Sequence, residues 1–342
     1  MSFILIGAGA LGLATAQALL QQGAEVTLLE QSAVGQESSW AGGGILSPLC
    51  PWDYPDVVTR LTSRGAALFG AWAADLHKAT GIDPEYTTSG MLVLPPFDAQ
   101  LAQRWCAAHG VRSEARDGGL LLPDVAQARN PRLLQAQRAR VAQLGGRIVE
   151  QSEVQEVVVE GDAVRKLLTS RGEFSAERYI VTAGAWSKQV LGGQASRLDI
   201  KPVRGQMLLF KFAAPPLPHI VLHQGMYLIP RRDGHLLVGS TLEDAGFDKS
   251  TTDEARAMLL QHALELLPAL RDMPVVMHWS GLRPGSPDNI PTIGRHPVLK
   301  NLYINSGHFR YGVTMAPASV GVLLNEINEA PQAFDVSPYK WG

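Results

Sequence analysis

Gly7, Gly9 and Gly12 stand in the order Gly-x-Gly-x-x-Gly directly after the apolar run Phe3-Ile4-Leu5-Ile6. Glycines at that spacing suit a pyrophosphate: the first permits a tight turn, the second lets backbone approach the phosphates, and the third lets a helix pack on a strand. Glu30 follows about 20 residues later, where a carboxylate accepts hydrogen bonds from ribose hydroxyls and repels a 2′-phosphate. A glycine-rich turn that binds nothing is the alternative, and the flanking strand, helix and acid weigh against it. Next comes Ser38-Ser39-Trp40-Ala41-Gly42-Gly43-Gly44-Ile45-Leu46, a run of small residues that lets backbone lie against a flat ring. Arg283, between Leu282 and Pro284 in an apolar, glycine-rich stretch, is the third element of chemistry. An unpaired charge there is costly, so it calls for a bound anion or an internal carboxylate.

The elements that must position these groups are legible in outline. Leu11, Thr15, Ala18 and Leu19 give a helical stripe that stops near Gly23, before a second strand at Val26-Thr27-Leu28-Leu29. The stretch from Asp56 to Thr80 reads as a long helix ended by Gly81, and Gly90-Met91-Leu92-Val93-Leu94 as a strand broken by Pro95-Pro96. Asn130-Pro131 opens a helix through Leu144, with the asparagine as cap and Gly145-Gly146 as terminator. Strands follow at Arg147-Ile148-Val149-Glu150 and from Val154 to Val159. Tyr179-Ile180-Val181-Thr182 then runs into Ala183-Gly184-Ala185-Trp186, a second strand, glycine turn and helix. Small residues at this junction suit a cofactor or, without one, tight packing. From Val203 to Ser240 the pattern is antiparallel, with a hairpin across Asp233-Gly234. Thr251-Thr252-Asp253-Glu254 matches a capping box ahead of a helix reaching Leu267. Short strands and glycine turns close the chain. The Gly307 to Gly312 turn is placed to bring a helix N-terminus back to the cofactor.

The expected architecture is α/β: a Rossmann-like binding domain (1–80, 134–203 and 283–342) interleaved with an antiparallel-sheet α+β substrate domain (81–133 and 204–282). The 342 residues suffice for about two domains. Hydrophobic residues make up 46% and charged residues 18%, which excludes a disordered chain. A net charge of −2 without any Lys/Arg block argues against a nucleic-acid partner. No apolar stretch approaches the roughly 18 residues of a membrane span. With the first strand at residue 2, no leader segment is expected and the location is read as cytoplasmic. Cys50 and Cys106 lack metal-ligand spacing and are expected as free thiols, and the histidines form no helical His-x3-His pair, so no metal site is expected.

The glycine turn with Glu30 does not separate NAD from FAD, since both carry an adenosine diphosphate half. Taken in order, five motifs resemble the FAD-dependent D-amino-acid oxidase superfamily, and within it the glycine oxidase family of thiamine biosynthesis. They are Gly7-x-Gly9-x-x-Gly12 with Glu30, Ser38-Ser39-x-Ala41-Gly42-Gly43-Gly44, Ala183-Gly184-Ala185-Trp186, Gly281-Leu282-Arg283-Pro284 and Gly307-His308-Phe309-Arg310-x-Gly312. The resemblance spans residues 3 to about 325 and is weakest between about 95 and 130. It implies non-covalent FAD, with Ala10, Leu11, Glu30, Gln31, Ser38, Ser39, Gly43, Gly44 and Ile45 at cofactor positions. It also implies a backbone contact at Val154 on the adenine side, and a flavin-side loop formed by His308, Phe309, Arg310, Tyr311, Gly312, Val313 and Thr314. Some relatives attach flavin through a cysteine near the C-terminal motif; no cysteine follows Cys106 here.

The resemblance further implies that Arg283 and Arg310 contact the carboxylate of a small amino acid while Tyr227 contributes a hydroxyl. An internal ion pair is the competing role for either arginine, and cross-strand packing for Tyr227. The implied reaction moves the α-hydrogen as hydride to flavin N5 with no side-chain base; water then hydrolyses the imine, and oxygen takes the electrons to give hydrogen peroxide. Glycine, sarcosine and small D-amino acids are the expected substrates. A dehydrogenase passing electrons to a quinone or carrier, and a flavin-binding subunit without turnover, are the alternatives. Relatives are often tetramers, so a homo-oligomer is expected. Close relatives carry a histidine two residues before the pocket tyrosine, where this chain has Gly225; Gly225 is therefore expected to alter the pocket, with His223 a surface strand residue.

Overall fold

A computed structural model describes all of residues 1–342. Phe3, Ile4, Leu5 and Ile6 are all buried, and their side chains alternate between two different cores. An unbroken apolar run is what a strand covered on both faces needs. This strand, Ser2–Ile6, is central in a six-stranded sheet of order Thr292–Arg295, Leu302–Ser306, Arg178–Val181, Ser2–Ile6, Glu25–Leu29 and Arg147–Val149. Five strands are parallel, with Phe3 opposite both Arg178 and Val26, and Thr292–Arg295 is an antiparallel edge. One face packs Phe3, Leu5 and Ile180 against the helices Ala10–Gln21, Asp56–Thr80 and Gly312–Ile327 through Leu13, Leu61 and Met315. The other packs Ile4, Ile6 and Tyr179 against Val164 and Leu167 of a three-stranded antiparallel sheet.

The second large sheet has eight strands, ordered Met277–Gly285, Lys201–Lys211, His235–Gly239, Met226–Pro230, Ile220–His223, Met91–Leu94, Gly119–Leu122 and Glu114–Arg116. It is antiparallel except where Ile220–His223 runs parallel to Met91–Leu94. Period-two alternation sorts its two faces. Leu208, Phe210 and Leu228 meet Leu259 and Ala263 of the helix Asp253–Leu266, whereas Met207, Tyr227 and Ile229 lie on the opposite face.

The long helix spans Asp56–Thr80, with Gly81 left-handed at its end, as the pattern predicts. Four local expectations change. Asn130 is not a cap: Arg129 holds that position, and the Asn130 amide donates instead to the Ser39 carbonyl at 2.7 Å. The hydroxyl of Thr252, not Thr251, caps the later helix by accepting from the Ala255 N–H, which removes Glu254 from a reciprocal box. Gly225 (φ +80°) lies with Gln224 in the tight turn joining Ile220–His223 to Met226–Pro230, and a side chain there would meet nothing within 4 Å. Unlike Tyr227, Gly225 does not line the large cavity between the two sheets. His223 is half-buried and stacked on His262, with ring nitrogens 3.3 Å apart, so it is a paired residue rather than a plain surface one. No helix is long and apolar enough to cross a membrane.

Candidate functional site

The first glycine turn is built by close backbone approach. Gly7 has φ +106°, and a Cβ on Gly12 would lie 2.0 Å from the Gly7 carbonyl. Gly12 is the one nominated residue that does not line a cavity; its lack of a side chain brings helix and strand together. The Glu30 carboxylate is buried behind the turn. One oxygen accepts the Ala8 N–H at 2.8 Å and the other the Ser32 N–H at 3.1 Å. Oε1 also accepts the Ser32 hydroxyl at 3.2 Å, so Oε2, which accepts only the Ala8 N–H, is the oxygen that keeps acceptor capacity for a ligand hydroxyl. Ser39 reaches the start of the helix, its hydroxyl accepting from the Ala10 N–H at 2.9 Å.

Two cavities, with about 1140 and 740 Å³ of open space, flank this turn and share Gly9, Ser38, Ser39, Thr182 and Gly184 on their walls. The shared walls join the two cavities into one continuous cleft on either side of the turn. Gly7, Glu30, Gln31, Val154, Ala183 and Trp186 line the smaller cavity. Ala10, Leu11, Gly43, Gly44 and Ile45 line the larger one, together with every residue from His308 to Thr314. The helix Gly312–Ile327 thus begins at the cleft, where its unpaired N–H groups and partial positive charge favour acceptors. The small helix-starting turn Gly184–Trp186 stands at the other end.

Tyr227, Arg283 and Arg310 converge on the larger cavity. Arg283 comes from the strand Met277–Gly285. Its guanidinium donates to Ser240 Oγ at 2.6 Å and to the Thr241 carbonyl at 3.1 Å, with no carboxylate in ion-pair range. It lies across Gly205, where a Cβ would be only 2.1 Å from Nη1. Protein atoms surround it, yet it keeps partial access through the cleft. Burial pulls its pKa below the usual value; nearby Tyr227 opposes that shift and the charge on Arg310 adds to it. The guanidinium nonetheless stays charged. Arg310 likewise has no acidic partner among the ion pairs and no hydrogen bond from its side chain. Two mutually repelling cations facing one cavity are therefore matched to an anion that the protein does not itself provide.

Burial pushes the His308 pKa down to about 3, and its Nε2 pairs with Ser319 Oγ at 2.8 Å, so it stands in the wall as a neutral imidazole. Burial, with a smaller contribution from Tyr54, raises the Tyr311 pKa; the two rings stack edge to face at 5.1 Å. Asn305 escaped the sequence reading. It is fully buried on the strand Leu302–Ser306, lines the larger cavity, and neither amide atom has a partner in the chain. A polar residue at the end of an apolar strand was its only signal. Such orphaned groups, with the glycine walls and Glu30, fit FAD. No group of three His, Cys, Asp or Glu is placed to hold a metal.

A family model described as FAD dependent oxidoreductase, DAO, matches residues 2–326. A glycine oxidase of Pseudomonas aeruginosa PAO1 is 43% identical over 98% of this chain and 97% of that protein. One of Pseudomonas putida KT2440 is 39% identical at the same coverage. Among solved structures, glycine oxidase from Geobacillus kaustophilus matches with a TM-score of 0.94 at 24% identity, over 99% of this chain and 98% of that one, a likeness of fold. With nucleotide turn, continuous cleft and nearly full-length matches in agreement, the chain belongs to the DAO family of FAD-dependent oxidoreductases, as an FAD-dependent amino-acid oxidase.

Proposed function

We propose that the enzyme oxidises glycine and other small amino acids, including sarcosine and small D-amino acids, to an oxo acid and hydrogen peroxide, with release of ammonia, or of methylamine from sarcosine. The observation that carries this reading is the pair Arg283 and Arg310, two guanidiniums on one cavity without a carboxylate between them. Their forked donors take a substrate carboxylate and so orient the α-carbon. The Tyr227 hydroxyl, close enough to Arg283 to influence its charge, adds a further contact. FAD, when bound, supplies the hydride acceptor. The same positive charge and partial burial favour the neutral amine, the form from which hydride leaves. His308, neutral and bonded to Ser319, is not required as a base. Water then adds to the imine and releases ammonia, or methylamine where the substrate is sarcosine.

The cofactor positions of this reading are those that line the joined cavities, with Gly12 acting through packing. The proposed division into an FAD-binding part (1–80, 134–203, 283–342) and a substrate part (81–133, 204–282) is supported by the two large sheets, although the helix Asn130–Gln143 and the strands Lys201–Lys211 and Met277–Gly285 each cross one of its boundaries. A cytoplasmic location, supported by two free thiols, and a homo-oligomer complete the reading; light scattering of the holoenzyme tests the latter. The function is tested by mixing holoenzyme anaerobically with glycine, sarcosine and D-alanine, following the flavin absorbance, then admitting air and assaying peroxide. Bleaching followed by peroxide is expected. Bleaching without prompt reoxidation would instead favour a dehydrogenase, and no bleaching by any of the three would remove the substrate assignment.

A further inference from the structure

Arg231, just past the strand Met226–Pro230, is 4% exposed and has no carboxylate in ion-pair range. Its Nη1 donates to Gln127 Oε1 at 2.6 Å and to the Ala128 carbonyl at 3.1 Å; its Nη2 donates to the Gly43 carbonyl at 2.7 Å. Its Nε has no partner. The nearby acids are occupied elsewhere: Arg129 engages Asp233 at 2.8 Å and Glu85 at 3.3 Å. Burying a guanidinium among neutral oxygens is unfavourable unless its geometry is needed.

What that geometry joins is specific. Gly43, Gly44 and Ile45 line the cofactor cleft, and behind them the chain pairs with residues 126–128. The Ala128 N–H donates to the Gly44 carbonyl and the Leu46 N–H to the Ala126 carbonyl, both at 2.9 Å, with Ile45 bridged to Gln127. Arg231 bonds both sides of this patch at once. We propose that Arg231 is a positioning residue for FAD: its fork fixes the Gly43 carbonyl against Ala128 and so sets the backbone of Gly43–Ile45 on the cleft wall. A lysine carries the charge but cannot span the three oxygens, and a methionine fills the space without donating.

A separate cavity containing Arg231, Glu85, Thr87 and Pro215 shares no wall residue with the cofactor cleft. It gives a small cation a route to the Arg231 position. Holoenzyme of Arg231→Met, Arg231→Lys and Arg231→Ala is diluted in series, and FAD release is followed by its fluorescence alongside the visible spectrum and the thermal midpoint. Arg231→Met is expected to raise the FAD dissociation constant roughly 10- to 150-fold and to shift the flavin band shape, with Arg231→Lys in between. Low millimolar guanidinium, but not equimolar urea or sodium chloride, is expected to restore binding to Arg231→Ala. A dissociation constant and spectrum for Arg231→Met within twofold of the parent would overturn the proposal. So would loss of the folded state in Arg231→Met and Arg231→Ala together with no recovery of FAD binding by guanidinium, since that pattern assigns Arg231 to fold stability alone. If only Arg231→Met fails to fold, guanidinium recovery of Arg231→Ala supports the proposal and its absence overturns it.

Discussion

Replacing Arg283 by alanine separates substrate binding from cofactor binding. Of the five guanidinium donors, two are used inward, on Ser240 Oγ and the Thr241 carbonyl, which leaves three for a ligand. A hydrogen bond to a charged group contributes about 1.5–3 kcal/mol, so losing the substrate contact is worth ~10- to 150-fold in affinity. Arg310 still faces the cavity and keeps the loss from being complete. Arg283→Ala is therefore expected to raise KM for glycine by that factor while flavin content per protein, read at the visible band, stays at the parent level. The thermal midpoint is expected to hold or rise, because the substitution removes a charge that protein atoms surround without an acidic partner. Steady-state peroxide assays and a melting curve read both. An unchanged KM with full flavin content would refute the carboxylate role; a drop in midpoint of several degrees would show Arg283 to be a structural group.

Gly205→Ala would place a Cβ 2.1 Å from the Arg283 fork, so KM should rise without loss of flavin, whereas Gly225→Ala, with φ +80° and open space, should lower stability by about 1 kcal/mol and leave the substrate profile unchanged. Gly12→Ala would place a Cβ 2.0 Å from backbone that cannot yield cheaply; purified protein should carry little flavin, read from the ratio of visible to ultraviolet absorbance. His308 is neutral when folded, with its pKa pushed down to about 3 by burial, against about 6.5 when unfolded. Between those values the unfolded chain binds more protons, so stability is fully present above about pH 6.5 and falls on acidification towards pH 3. His308→Gln should flatten this dependence in melting curves taken from pH 7 to 5.

Much of the fold could be read in the sequence because local and global demands agreed. Asp56–Thr80 carries a helical apolar stripe and stops at Gly81, and Phe3–Ile6 is unbroken because both its faces are covered. The hairpin around Asp233-Gly234 has strong local turn chemistry, with Pro230 paired to Leu236. The errors came where a remote partner decides. Asn130 has the composition of a cap, yet Ser39 claims its amide. Gly225 sits near Tyr227 in sequence but in a turn outside the cleft. At the site, Arg283 was found by its apolar context, while the need for Gly205 beneath it arises from a strand pairing that sets Val203 opposite Arg283. Arg231 was missed because an arginine beside a hairpin turn ordinarily belongs to the surface. Its burial depends on the approach of Gly43 and Ala128.

Substrate capture is proposed to rest on the hold of the guanidinium pair on its carboxylate. It is tested most directly by comparing anaerobic flavin bleaching by glycine and by glycinamide, which keeps the α-hydrogens and the amine but carries no carboxylate charge. Glycinamide is expected to require ~10- to 150-fold higher concentration for half-maximal rate, with the difference shrinking in Arg283→Ala. Equal concentration dependence for the two compounds in the parent enzyme would contradict it.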